Sequence, residues 1–205
     1  TALNSLDVND DDERQLISTD GSGYFPTEPR LRRCGYGVYF GPDHPANLSR
    51  PLLGQCQTVP RAELRAVISA VRRLRRPSTV LCDCQWVVDG VLALKQGKDV
   101  THLEHRDLWE TLRPSLMDLA DPNHFEIRKV PGHSTAQDVA DGFLTAVEKQ
   151  CNDGVDLLAK AGARAHLPAD PLVSALRRRK AITAVIQRMM TAIRIQRSAD
   201  LHVLD

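Results

Sequence analysis

An α/β domain with a mixed sheet, antiparallel in its first part, is the fold class this sequence predicts. Three observations point to it. Period-two alternation broken by turn residues opens the chain, helical periodicity takes over after Thr58, and short apolar runs at 79–84 and 125–130 return between helical stretches. A length of 205 residues with 42% hydrophobic and 26% charged residues suits one domain with a real core plus appendages, and excludes wholesale disorder.

Residues 1–14 read as a flexible tail, because Asp7, Asp10, Asp11, Asp12 and Glu13 repel one another and offer little to bury. Residues 15–19 predict a strand that stops at Asp20-Gly21-Ser22-Gly23, a change to turn chemistry. Pro26 and Pro29 make 24–33 a loop. Cys34, Tyr36, Val38 and Phe40 alternate with smaller residues, so 34–40 predicts a second strand, and 52–57 a third.

Thr58 is the expected N-cap of a helix that tolerates Pro60 in its first turn. Leu64, Val67, Ile68, Val71 and Leu74 follow at helical spacing. Arg72, Arg73, Arg75 and Arg76 close it, cations suiting the negative end of the helix dipole. Residues 79–84 predict a strand running into a helix over 85–95, with another helix over 105–119 and a strand over 125–130. Helical pattern resumes from Ala136 to Val147 and again over 155–165. A last amphipathic helix spans about 171–197. Its Leu172, Leu176, Ile182, Val185, Ile186, Met189 and Ile193 face is expected to pack while its arginines stay in solvent, the alternative being a phosphate-contacting or partner-docking appendage.

The net charge is only +1, yet residues 160–197 hold nine basic residues and one acidic, a local +8 that leaves −7 elsewhere. Any basic binding surface is therefore local. No apolar run nears the roughly 18 residues of a membrane span, and no charged-then-apolar leader opens the chain. The expectation is an intracellular protein without a membrane partner, in cytoplasm or nucleus. Five cysteines (Cys34, Cys56, Cys82, Cys84, Cys151) lack paired CxxC spacing, so reduced thiols are expected rather than a zinc site or disulfides. A start at Thr1 rather than Met suggests a piece of a longer chain.

Asp20 and Asp83 each end a predicted strand, and Glu63 lies in the first turns of a helix. Carboxylates at a sheet rim can converge, but neighbouring like charges raise one another's pKa unless a cation offsets them. Mg²⁺ does this with few carboxylates, and two ions about 3.5–4 Å apart suit phosphodiester hydrolysis. Singly, each acid also has an ordinary reading: Asp20 in a turn, Asp83 as a helix cap, Glu63 solvated.

Their contexts form an ordered set. Thr19-Asp20-Gly21-Ser22, Arg61-Ala62-Glu63-Leu64 and Cys82-Asp83-Cys84-Gln85-Trp86 resemble successive signatures of the type 1 ribonuclease H family. Val130-Pro131-Gly132-His133-Ser134 resembles that family's histidine loop, and residues 152–163 resemble its final helix. The likeness covers about 16–165. It implies a ribonuclease H-like fold, a five-stranded mixed sheet flanked by helices. It also implies cleavage of the RNA strand of RNA–DNA hybrids with two Mg²⁺ (or Mn²⁺) ions. By that likeness Asp20, Glu63, Asp83 and Asp156 are the metal ligands, with Asp20 bridging the ions. Asp156 would serve the water-activating ion, Glu63 and Asp83 the leaving-group ion, and His133 water delivery or product release.

Substrate contacts implied by the resemblance are Gly21 and Ser22 beside the scissile strand, Thr58 in a DNA-phosphate pocket, and Gln85 in the minor groove, where RNA shows its 2′-hydroxyls. Departures are Val59-Pro60 for a pair of Asn residues, a Gly23–Arg33 stretch for a compact turn, and no basic helical handle. Trp86 and Trp109 read as core rather than stacking residues. His133 and Asp156 are 23 residues apart, which makes about 135–151 a helical insertion and leaves Asp141 as a rival for Asp156. The domains expected are an acidic tail (1–14), a catalytic domain (15–166) and a basic helix and tail (167–205). Retroelement-like features imply a polyprotein that also carries a reverse transcriptase domain. Two other functions stay open: a catalytically silent module that binds nucleic acid or scaffolds, and a nuclease or strand-transfer enzyme of the same fold acting on DNA.

Overall fold

The computed structural model describes residues 14–132 and 134–202, with side chains through residue 198. The expectations for the acidic tail, apart from Arg14, and for His133 lie outside the described residues. The chain divides into two units, one up to Leu167 and one from Pro168.

The first unit is a five-stranded mixed sheet in the order β3-β2-β1-β4-β5. Strands β1 (Gln15–Tyr24), β2 (Arg33–Tyr39) and β3 (Leu48–Pro51) form an antiparallel meander. Strands β4 (Ser78–Cys82) and β5 (Phe125–Lys129) run parallel to β1. Helices α1 (Val59–Val71), α2 (Gln85–Lys95) and α3 (Arg106–Met117) make the crossovers. After β5 come α4 (Ala136–Ala140) and α5 (Ala146–Arg164). Ile17, Leu64, Ile68, Val80, Trp109, Leu112 and Phe125 are fully buried in the core. At about 1.5–3 kcal/mol for each large apolar side chain, such burial is the main force holding these layers.

Three expected boundaries move. β1 does not stop at Asp20 but pairs with β2 as far as Tyr24–Arg33. The glycines there serve close packing rather than a turn: a Cβ on Gly21 would stand 2.6 Å from the Glu63 nitrogen. The third strand lies at Leu48–Pro51, not at 52–57. Beyond it, the Gln57 side chain substitutes for ladder pairing, accepting from the Cys34 N–H at 2.8 Å and donating to the Leu52 and Gly54 carbonyls at 2.8 and 2.7 Å. The helical pattern after Ala136 is interrupted: Gly142 adopts a left-handed φ of 76°, and Thr145 with Glu148 forms a capping box that restarts the chain as α5. Phe143 and Val147, both within the stretch expected to be one helical pattern, are exposed.

Glycines also let α5 lie close on β2. A Cβ on Gly35 would fall 2.0 Å from the Ala163 nitrogen, and one on Gly37 2.8 Å from the Val155 carbonyl. The Ser49 hydroxyl donates to the Leu158 carbonyl at 2.7 Å, which ties β3 to the same helix. Arg128 pairs with the buried Glu148 and joins β5 to the start of α5. All five thiols are free, and Cys34, Cys82 and Cys151 are buried.

The second unit is one long helix, α6 (Asp170–His202). Contrary to expectation, its apolar face has nothing to pack on within its own unit: Ile182, Val185, Ile186, Met189 and Ile193 are 49–59% exposed. A single helix offers no second layer to cover its stripe.

Candidate active site

β1 and α1 bring the first two acids together. The register opposes Asp20 to Gly37 and Ser22 to Gly35, so Asp20 and Ser22 share the sheet face that α5 covers. Gly21 points the other way, where only a hydrogen leaves room for the first turns of α1. That close approach carries Glu63 to Asp20. Asp83, in the short link between β4 and α2, comes from the neighbouring parallel strand.

Oxygens of Asp20, Glu63 and Asp83 all lie within 4.8 Å of one another. Glu63 is 4% exposed, and its Oε2 has no hydrogen-bond partner. Burial, with Asp20 and Asp83 close by, pushes its pKa well above the usual carboxylate range. Asp20 rises to about 6, first through burial and then through the charges of Asp83 and Asp156; hydrogen bonds from Glu63 and the Gly21 N–H partly offset this. A rim of acids this close, with a buried oxygen left without a donor, has the chemistry of a divalent-cation site.

Asp156 lies on α5, half-buried, close enough to raise the pKa of Asp20. It stands outside the three-acid cluster, and Lys160, one turn further on, donates to its Oδ2 at 2.6 Å. The Lys160 ammonium is held above its ordinary pKa by Asp156 and, less strongly, by Asp20. Sequence reasoning missed Lys160; its signal is the four-residue spacing from Asp156. Asp141 is the exposed C-cap of α4 and accepts from Gln137 at 2.7 Å.

Of the expected substrate contacts, Gly21 and Ser22 lie on β1 beside the acids. Gln85 opens α2 and is exposed, its amide donating to Asp89 at 2.7 Å. Thr58 occupies the N-cap position of α1 without a side-chain capping bond. Its hydroxyl instead meets His105 Nε2 at 3.1 Å, so a non-local partner has displaced the local one. His105 packs edge-on against Trp86, which does the same against the buried Trp109. Gly132 stands against Asp83: a Cβ there would be 2.9 Å from Oδ2.

A family model described as RNase H matches residues 12–164, three quarters of the chain and all of the elements that carry the four acids. The chain belongs to the RNase H family. Among relatives, it is 29% identical over 167 residues to Ribonuclease H1 of Mus musculus, across 74% of this chain and 51% of the mouse protein. It is 35% identical over 79 residues to Ribonuclease H of Schizosaccharomyces pombe, across 38% of this chain and 30% of that protein. The chain thus spans between about a third and a half of the length of these relatives. The RNase H fold is seen again in the RNase H domain of prototype foamy virus (TM-score 0.56, 21% identity, 73% of this chain and 94% of that one). A foamy viral protease-reverse transcriptase solved in complex with dsDNA matches at TM-score 0.53 and 23% identity, over 74% and 94%. At those identities the likeness is one of fold.

Proposed function

We propose that this RNase H domain is a metal-dependent endonuclease that hydrolyses the RNA strand of RNA–DNA hybrids. One observation carries the reading: Asp20, Glu63 and Asp83 bring carboxylate oxygens within 4.8 Å of one another, and the buried Glu63 has an oxygen without a donor. Without a cation, such a cluster is electrostatically unfavourable. Asp20, Glu63 and Asp83 would hold divalent cations, two Mg²⁺ by the family's pattern with Mn²⁺ a substitute, and Asp156 would complete the set. Bound there, such ions supply a nucleophile from water at neutral pH and stabilise charge on the leaving oxygen.

The protein's own residues do the rest. β1 holds Asp20 rigidly in the sheet, and the Gly21 contact holds Glu63 against it. Gly21 and Ser22 let the backbone of β1 approach the strand being cut, and Gln85, exposed at the start of α2, reaches toward the minor groove. Lys160 orients Asp156 on α5 by donating to its Oδ2. His133, next in sequence to Gly132, takes part in water delivery or product release. The retroelement-like Asp-Gly-Ser-Gly and Pro-Arg-Leu-Arg-Arg-Cys-Gly segments support a parent polyprotein with a reverse transcriptase domain as partner. A transcript of the source gene tests that. No helix among the described residues is long and apolar enough to cross a membrane.

Incubation with a hybrid labelled on the RNA strand tests the activity. Mg²⁺-dependent RNA fragments are expected, and Asp83→Asn should lose them while keeping its melting temperature within a few degrees. Equal cutting by the variant rejects the assignment. Binding without cutting in the original chain turns the reading to a silent nucleic-acid module, and equal cutting of duplex DNA turns it to a DNA nuclease.

A further inference from the structure

On another side of α1, a cleft of about 630 Å³ opens between β3, the segment after it, α1 and the first turns of α3. Four arginines line it, Arg50, Arg61, Arg65 and Arg73, against a single carboxylate, Asp107. That carboxylate is already engaged: Arg61 grips both its oxygens, at 2.8 and 2.5 Å. Arg73 donates to the Ser69 carbonyl at 2.9 Å, which satisfies a donor but cancels no charge. The guanidinium groups of Arg50 and Arg65 have no hydrogen-bond or ion-pair partner among the described residues. The cleft therefore holds three cations that no carboxylate of its lining offsets.

Their placement follows from helix geometry. Arg61 and Arg65 are one turn apart on α1, and Arg73, in the segment past its end, lines the same cleft. At about 100° per residue, Glu63 sits roughly 200° around the helix from Arg61, so an anion in this cleft is not the one facing the acidic cluster. Arg65 and Arg73 are half-buried, which weakens water's screening of their mutual repulsion. An arginine fork matches phosphate oxygens in pairs, the geometry that Arg61 already uses on Asp107. Arg73 also lines a second cleft, of about 440 Å³, with Arg75, so cationic lining continues beyond the first cleft.

We propose that this cleft is a second phosphate-binding site, on the side of α1 away from Glu63, that takes successive phosphate groups. They come either from a nucleic-acid backbone or from a free oligophosphate. The site stands apart from the hybrid-nuclease reading and does not depend on it.

The test uses the full chain with two probes, inorganic pyrophosphate and a labelled RNA–DNA hybrid with a single-stranded overhang. Arg65→Ala with Arg73→Ala should weaken pyrophosphate binding about tenfold or more, the scale of lost charge-assisted hydrogen bonds. If the phosphates belong to nucleic acid, the same pair should also flatten the log K against log salt plot for the hybrid by about 1–2, roughly 0.7–0.9 for each lost contact. A pyrophosphate loss with an unchanged hybrid slope assigns the site to free oligophosphates. Arg65→Lys with Arg73→Lys should restore most of the binding. Arg50→Glu, at an exposed position, should weaken it with no change on α1. Pyrophosphate and hybrid binding unchanged in both the alanine pair and Arg50→Glu overturns the proposal. A chain that cuts no hybrid yet loses pyrophosphate in these variants leaves the site standing while the nuclease reading falls.

Discussion

Gly21 and Glu63 meet backbone to backbone: a methyl group on Gly21 would stand 2.6 Å from the Glu63 amide nitrogen and 2.9 Å from the Ala62 Cβ. The contact joins the middle of β1 to the first turns of α1, and with it Asp20 to Glu63. Gly21→Ala should therefore cost stability, about 1–3 kcal/mol by overpacking. It should also cut hybrid hydrolysis far more than a surface change of equal stability cost. Urea melts and single-turnover rates on one preparation check this. A variant with lower stability but full activity would separate the two roles.

The acidic cluster makes the metal-free fold pH-dependent. Asp20 titrates near 3.8 when unperturbed and at about 6 in the folded chain. Below the lower value both states hold the proton. Between the two, the unfolded chain ionises while the folded chain keeps its proton, so stability falls as pH rises, and above about 6 the loss is complete. Asp20→Asn removes it. Without divalent cations this variant should gain about 1–3 kcal/mol near pH 8 and almost nothing near pH 4. Thermal melts in chelator at the two pH values decide it, and an equal gain at both would point to packing rather than charge.

Divalent cations should offset the same repulsion. Adding Mg²⁺ or Ca²⁺ should raise the melting temperature of the original chain by mass action on the folded state. Glu63→Gln, which takes the charge from the buried oxygen, should be more stable than the original chain in chelator and gain little from the ions. If added ions raise the melting temperature of Glu63→Gln as much as that of the original chain, the cluster does not hold them.

Asp156 and Asp141 differ in surroundings enough to predict different losses. Asp156 is coupled to Asp20, whereas Asp141 caps α4 and bonds to Gln137. Asp156→Asn should lower hybrid cleavage by on the order of 10²-fold or more, and Asp141→Asn should leave it within about twofold. The reverse ranking would place the fourth ligand on α4.

The unit from Pro168 carries seven of the basic residues on α6 and shows its Ile and Met stripe to solvent. Deleting residues 168–205 should weaken hybrid binding and flatten its salt dependence, with the rate at saturating substrate unchanged. Titrations at two salt concentrations read this out. Identical slopes with and without the segment would leave α6 no part in substrate affinity.

Local signals in the sequence were sufficient for the order of elements, the parallel and antiparallel parts of the sheet and three of the acids that meet at its rim. Asp20 and Asp83 follow apolar strand runs and Glu63 opens a periodic helix, and such patterns extend over only a few residues. The misreadings came from residues whose partners are far off in the chain. Gly21 and Gly23 read as a turn because their packing neighbours, Glu63 and Val59, are about 40 residues on. Gln57 took the place of a strand by bonding to Cys34, and Thr58 gave its hydroxyl to His105 rather than to its own helix.

By itself, then, the sequence determined the family, the kinds of element and which three acids to look for at the sheet rim, because periodicity and motif order are properties of neighbouring residues. Only the tertiary structure decided how deeply Glu63 is buried, that its Oε2 lacks a donor, that Lys160 is the partner of Asp156, and that arginines from β3 and α1 share one cleft. Burial, desolvation and the meeting of charges depend on which surfaces pack together, and packing is set by contacts across the whole chain.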